Sequence, residues 1–123
     1  MKRKYHKPIK VIVRELNGFP EIKRLDIIDD ICHILGTEDV IFTRVDKDVY
    51  AASRKDAEKN GEKMNCIMKH HFGEYYFFDV IYGTVVLLRF NRKTERLEGL
   101  TDGQLRKHMF YKDELDATMD EAV

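Results

Sequence analysis

The side chains best suited to metal or nucleophile chemistry lie near the middle of the chain. Cys66 and His70 are four residues apart, a spacing that would align them on one helical face, and His71 is adjacent. A structural zinc site takes about four ligands at defined spacings, and the remaining cysteine and histidines follow no such pattern. A reactive cysteine needs an activating base, and Cys66, which lies near His70 and His71, is the better candidate of the two cysteines. We therefore assign no metal ion and no catalytic residue.

One carboxylate, Asp79, interrupts an otherwise apolar stretch. The simpler interpretation is an outward-facing or backbone-bonded carboxylate, and the alternative is an acid held in a partly buried pocket. A nuclease or hydrolase that works through Asp79 and His70 or His71 stays open as the weakest hypothesis. The sequence holds no nucleophile elbow, no Walker-type loop and no dinucleotide-binding fingerprint.

Aromatic residues followed by arginines form the best candidate binding site. Aromatic rings stack on bases and arginines bind phosphates, but tyrosine and arginine are also favoured at protein interfaces. Because four consecutive aromatics at 75–78 must point to both faces of a strand, part of the run is core, and nucleic-acid binding is disfavoured. The predicted binding residues are Tyr75, Tyr76, Arg89, Arg92, His70 and His71.

Length and charge indicate one soluble domain without a charge-driven partner. The chain has 123 residues, and its 22 basic residues balance its 22 acidic ones. Nucleic-acid binding through counterion release usually shows a basic surplus. Basic residues are concentrated at the start of the chain and acidic residues at its end. This distribution predicts a basic, partly disordered arm at 1–7, a single domain at 8–112 and an acidic tail at 113–123.

Location is predicted from what the sequence lacks. Two cysteines make no disulfide framework, and the basic start runs into a β-pattern instead of the apolar region of a signal peptide. The apolar run 75–90 is too short for a membrane helix and is interrupted by charges. We expect a cytoplasmic protein, without membrane contact and without a cofactor.

Local signals in the first half predict two hairpins and a helix. Asn17-Gly18 is a strong turn signal between strands at 9–16 and 19–25, and Pro20 places the second at a sheet edge. Asp26 is a good N-cap for a helix that ends at Gly36. A second hairpin is expected across 46–48, between strands at 40–45 and 49–52.

The second half predicts the centre of the sheet and one more helix. The segment 53–63 is a surface helix or a loop, 64–68 is a short element and 70–73 is a connection. The run 75–90 should be central, either as one bent strand or as two strands hinged at Gly83. Thr101 and Gln104 form a capping box that starts a helix. The predicted class is α+β: a mostly antiparallel sheet with about two helices packed on one face.

Two motifs carry a family resemblance over roughly residues 8–112. Ile81-Tyr82-Gly83-Thr84 ends a strand, and Leu100-Thr101-Asp102-Gly103-Gln104 starts a helix. This order resembles a family of small uncharacterised domains that is common in bacteriophages and mobile elements of Gram-positive bacteria. The chain departs from that family at Gly36-Thr37, where many members have Gly-Gly, and it lacks their Leu-Pro-x-Asn-Arg segment. The resemblance implies that the protein comes from a phage or mobile element and acts in the cytoplasm of a bacterial host. The family has no assigned activity that could be carried over to this chain.

Three functions therefore stand at this point. The leading one is a non-catalytic phage or mobile-element accessory protein that binds a host protein, for instance an inhibitor of a bacterial defence system. The alternative is a protein that binds or sequesters a small nucleotide-type ligand, with stacking by Tyr75 and Tyr76 and phosphate contacts from Arg89 and Arg92. The enzyme hypothesis is third. Strand pairing at a free sheet edge would also allow a homodimer.

Overall fold

The computed structural model describes residues 4–16, 20–27, 29–72, 74–109 and 114–118; for 4–7, 27, 29, 66–72, 76–79 and 114–118 it describes the backbone only. These residues form nine strands and two helices. In chain order they are β1 (Lys4–Arg14), β2 (Glu21–Ile27), α1 (Asp29–Leu35), β3 (Val40–Asp46), β4 (Val49–Arg54), β5 (Met64–Phe72), β6 (Tyr75–Tyr82), β7 (Val85–Asn91), β8 (Arg96–Glu98), α2 (Asp102–His108) and β9 (Glu114–Thr118).

The larger sheet has six strands and is antiparallel throughout its pairings. Its order is β2-β1-β7-β4-β3, and the short β8 pairs with β7. The central strand is β7, whose residues Val85, Val86, Leu87 and Leu88 are all buried. Their continuous apolar character follows from this position, because both faces of the strand are covered.

The smaller sheet has three strands in the order β6-β5-β9. Strand β5 pairs antiparallel with β6 and parallel with β9. The α+β class, with a mostly antiparallel sheet and two helices, is thus confirmed. The central position expected for the run 75–90 holds for β7 but is wrong for β6, which lies at the edge of the smaller sheet.

The core lies on both faces of the larger sheet. One cluster joins Ile12 and Leu87 to Leu105 of α2, and the other joins Val11 and Val86 to helix α1. Neighbouring residues of one strand enter opposite clusters because side chains alternate along a strand. The two helices therefore pack on opposite faces, and the predicted placement on one face is wrong. Each helix is short and covers only part of the face on which it packs.

Several local predictions are confirmed. The β3–β4 turn lies at 47–48, and Gly36 ends α1 with φ +73°. Gly83, with φ +75°, separates β6 from β7. In α2 the Thr101 hydroxyl accepts from the backbone of Gln104, and the Gln104 side chain accepts from the backbone of Thr101. These features depend on contacts within a few residues, which a sequence displays directly.

Two element assignments are wrong, and in both cases pairing with a consecutive strand decides the structure. Asp26 lies inside β2 and caps no helix, because pairing with β1 extends that strand to Ile27. The segment 70–73 was expected to be a connection, but His70 and His71 belong to β5, which pairs along its length with β6. The Asn17-Gly18 turn lies outside the described residues.

Strand structure reaches into both predicted end segments. Strand β1 begins at Lys4, within the predicted arm, and Lys4 is the register partner of Ile27. Strand β9 lies within the predicted acidic tail and pairs with β5. The segment 53–63 forms successive turns at 55–61 between β4 and β5.

A buried asparagine joins the two sheets. Asn65 of β5 is 5% exposed, and its Nδ2 donates to the carbonyl oxygens of Arg14 (2.9 Å) and Gly83 (2.8 Å). Those carbonyls belong to β1 and to the β6–β7 turn. One side-chain amide therefore fixes the smaller sheet against the larger one.

Candidate functional site

The α1 face of the larger sheet carries an apolar groove that α1 leaves uncovered. Its lining residues come from four strands: Phe42 of β3, Tyr50 of β4, Phe90 of β7 and Leu97 of β8. We call these four residues the aromatic groove. Its volume is about 360 Å³, and it is an open depression and not an enclosed cavity.

Strand pairing brings the groove residues together. Phe90 lies opposite Leu97 in the β7–β8 pairing, and Tyr50 lies opposite Leu88, two residues before Phe90. The rings of Tyr50 and Phe90 meet edge to face, with centroids 6.0 Å apart and planes at 80°. This is a favourable arrangement of two ring quadrupoles. It gives the groove a preformed aromatic floor.

Phe42 makes the groove accessible. It lies on the outer strand β3, and 46% of it is exposed. Exposed apolar patches bordered by polar groups are typical of interaction sites, whereas single exposed apolar residues are ordinary. Phe42 belongs to the first kind, because it adjoins three further apolar side chains.

An arginine borders the groove. Arg44 of β3 is the register partner of Tyr50 in the β3–β4 pairing, so both side chains project from the same face. The guanidinium Nε donates to the backbone oxygen of Asp46 at 3.3 Å. Among the described residues no carboxylate forms an ion pair with Arg44. Arg44 therefore places a guanidinium group beside the aromatic floor.

The turns at this end of the sheet carry a compensated pair. Arg92 Nε lies 3.3 Å from Asp48 Oδ1, and the Asp48 carbonyl accepts from the backbone N–H of Phe90 at 2.9 Å. Asp48 has φ +59°, a left-handed conformation at the end of the β3–β4 turn. The Arg92–Asp48 ion pair connects the β3–β4 turn to the β7–β8 turn. The two opposite charges neutralise each other.

A polar cluster lies at the end of α2. Asp46 Oδ2 is 2.6 Å from Lys107 Nζ and 3.2 Å from His108 Nε2, and His108 is buried. Burial acts to raise the pKa of Asp46, but the hydrogen bonds from Lys107 and the Lys47 backbone, with the charges of Lys107 and His108, lower it overall. The cluster fixes α2 against the β3–β4 hairpin.

The predicted binding residues fall into two separate groups. Arg89 and Arg92 lie in or beside β7 of the larger sheet, and Tyr75, 78% exposed, begins β6 of the smaller one. Arg89 donates to Glu98 and to the carbonyl of Gly99, and Arg92 pairs with Asp48. The two arginines therefore lie in the larger sheet or its turn and Tyr75 lies in the smaller sheet. Both guanidinium groups already pair with carboxylates of this chain.

The other predicted positions are described by their backbone alone. His71 and Tyr76 are register partners in the β5–β6 pairing, and His70 pairs with Phe77. The side chains of His70, His71, Tyr76, Cys66 and Asp79 lie outside the described residues. Within the part of the chain whose side chains are described, no group of three or more His, Cys, Asp or Glu could hold a metal ion.

Sequence reasoning missed the aromatic groove. Its residues span positions 42 to 97 and become neighbours only through the pairings of β4 with β7 and of β7 with β8. A partial signal existed in the predicted hairpin across 46–48, whose register places Arg44 opposite Tyr50. The contribution of Phe90 and Leu97 needs the order of strands in the sheet.

Comparisons with family models, with curated proteins and with solved structures gave no match to this chain. In the described part of the chain, neither helix has the length and apolar character needed to cross a membrane.

Proposed function

We propose that this chain is a non-catalytic accessory protein that binds another protein through the aromatic groove. The single observation that carries the proposal is the uncovered surface of Phe42, Tyr50, Phe90 and Leu97 beside Arg44. Tyrosine, phenylalanine and arginine are enriched at protein interfaces, where a few such residues supply most of the binding energy.

The identity of the partner rests on the family resemblance and not on the groove. A phage or mobile-element domain of this size acts in the cytoplasm of its bacterial host, so the partner is a host protein. A component of a bacterial defence system is the version that we favour. The chain would then act by occupying a surface of that protein.

Two exposed apolar residues provide a matched pair of variants for the test. Phe42 lies in the groove and Ile22 lies on the outer strand β2 at the other edge of the sheet, and each is 46% exposed. An aspartate at either site tolerates contact with water, so both Phe42→Asp and Ile22→Asp should keep the fold.

The experiment is quantitative capture from a lysate of the producing bacterium with each variant as bait. We expect the wild type and Ile22→Asp to capture one host protein in equal amounts per mole of bait. Phe42→Asp should not capture it. A host protein captured equally by all three baits would contradict binding through the groove. Light scattering of each bait alone reports whether the chain is a homodimer.

A further inference from the structure

We infer that the aromatic groove recognises an extended partner segment in which an apolar side chain is followed, two residues later, by an acidic one. The inference rests on the proposed function and names the chemistry of the partner. The apolar side chain would occupy the groove, and the carboxylate on the same face of the segment would pair with the guanidinium of Arg44.

Charge complementarity argues for the acidic residue. Arg44 is part-buried, and within the described residues its one side-chain hydrogen bond runs from Nε to the carbonyl oxygen of Asp46. Arg54, Arg89 and Arg92 each pair with a carboxylate. An arginine fork binds a carboxylate through two parallel hydrogen bonds. Arg44 can therefore bind a partner's carboxylate beside an apolar surface.

The geometry sets how far apart the two partner groups lie. Register partners on one face of an antiparallel ladder have Cβ atoms about 5 Å apart, so Arg44 adjoins Tyr50 at the groove floor. In an extended segment, residues i and i+2 present their side chains to the same surface, about 7 Å apart, which is a comparable distance. Because the groove is open, a continuous chain can pass across it. The partner's carboxylate is therefore that of an acidic side chain and not that of a chain terminus.

Blocked tripeptides test the inference in solution. The probes are acetyl-Phe-Ala-Asp-amide, its neutral isostere acetyl-Phe-Ala-Asn-amide, and N-acetylphenylalanine with a free terminal carboxylate. Binding is followed by NMR shifts of the Phe42, Tyr50, Phe90 and Leu97 side chains and of the Arg44 Nε–H group. Adenosine monophosphate serves as the nucleotide probe.

The inference predicts that the Asp peptide binds the wild-type groove about fivefold more tightly than the Asn peptide, and that added salt reduces this ratio. In Arg44→Gln the two peptides should bind equally, while Arg44→Lys should keep part of the preference. The amide spectrum of the remaining chain verifies that each variant is folded.

Different failures have different meanings. Equal binding of both peptides to the wild type would overturn the inference and leave the proposed function standing. Tighter binding of N-acetylphenylalanine, or groove shifts with adenosine monophosphate alone, would assign the groove to a chain end or to a nucleotide and overturn it. A dimer that Phe42→Asp dissociates would make a second copy the occupant. If no probe shifts the groove and no host protein is captured, the proposed function fails as well.

Discussion

Tyr50 and Phe90 meet edge to face, with ring centroids 6.0 Å apart, although 40 residues separate them in the chain. Their contact joins β4 to β7 at the centre of the aromatic groove and prepares the surface before any partner arrives. A preformed surface loses little conformational entropy on binding. The groove is therefore suited to recognition without rearrangement.

The aromatic contact can be measured with a double-mutant cycle. Tyr50→Leu, Phe90→Leu and the double variant should show a coupling free energy of about 1 kcal/mol, because the edge-to-face geometry adds to simple burial. Urea unfolding gives the four stabilities. Tyr50→Leu combined with Ile22→Ala serves as the control, and these distant changes should be additive. A coupling of zero between the two rings would contradict the arrangement.

The Asp46 cluster should make stability depend on pH. The pKa of Asp46 is lowered from its ordinary value of 3.8, since its partners outweigh the opposing effect of burial. A lowered pKa stabilises the folded state above 3.8, and the contribution is lost as pH falls through the folded pKa. Asp46→Asn should reduce the free energy of unfolding at neutral pH by roughly 1 kcal/mol.

The same variant should have almost no effect once the pH falls below the lowered pKa of Asp46, because the carboxylate is then protonated in the folded wild type as well. Urea titrations of both proteins across this range measure the difference. Glu38→Gln, which alters an exposed carboxylate, is the control. A stability difference that stays constant from neutral to acid pH would show that charge is not the source of the effect.

Asn65 should be essential to the docking of the two sheets. Asn65→Leu keeps the side chain large but removes both Nδ2 hydrogen bonds, so the buried carbonyls of Arg14 and Gly83 lose this donor. We expect destabilisation of about 2–3 kcal/mol, measured by urea unfolding. Lys63→Leu, at an exposed position two residues earlier, should change stability little. Equal effects of the two substitutions would argue against the bridge.

Two glycines separate backbone strain from crowding. Gly61 and Gly83 have φ +76° and +75°, but a Cβ at Gly61 meets nothing within 4 Å, whereas one at Gly83 meets Glu62 Oε1 at 2.6 Å. Gly61→Ala should destabilise by about 1 kcal/mol through φ alone. Gly83→Ala should cost slightly more, because the close atom is the end of the flexible Glu62 side chain, which has to move aside.

Removing the obstacle provides the check on this interpretation. In a Glu62→Ala background, Gly83→Ala should lose its excess and match Gly61→Ala in thermal or urea unfolding. If the excess persists without the Glu62 side chain, the crowding lies elsewhere.

Local signals in the sequence predicted local structure well. The turn at 47–48, the left-handed Gly36 and the Thr101–Gln104 capping box all depend on contacts within a few residues. Asp26 shows the limit: its N-cap signal is real, but pairing of β2 with β1 supplies more hydrogen bonds than a cap does. Propensity is a weak prior, and tertiary pairing overrides it.

The candidate site was less predictable than the fold. Arg89 follows a long apolar run and was predicted to bind a partner, but its side chain is bonded to Glu98 and Gly99. The position of Arg44 beside Tyr50 becomes apparent only when β3 is aligned with β4. The aromatic run at 75–78 was the stronger sequence signal, and β6 lies in the smaller sheet. Which aromatic side chains share a surface depends on strand order, which residue spacing does not encode.

Photo-crosslinking in the producing bacterium reports whether the aromatic groove contacts a host protein, as we propose. Benzoylphenylalanine would replace Phe42 in one variant and Ile22 in the other, two positions with equal exposure on opposite edges of the larger sheet. We predict a covalent adduct with one host protein from position 42, identifiable by mass spectrometry, and none from position 22. The same adduct from both positions, or an adduct from position 22 alone, would contradict it.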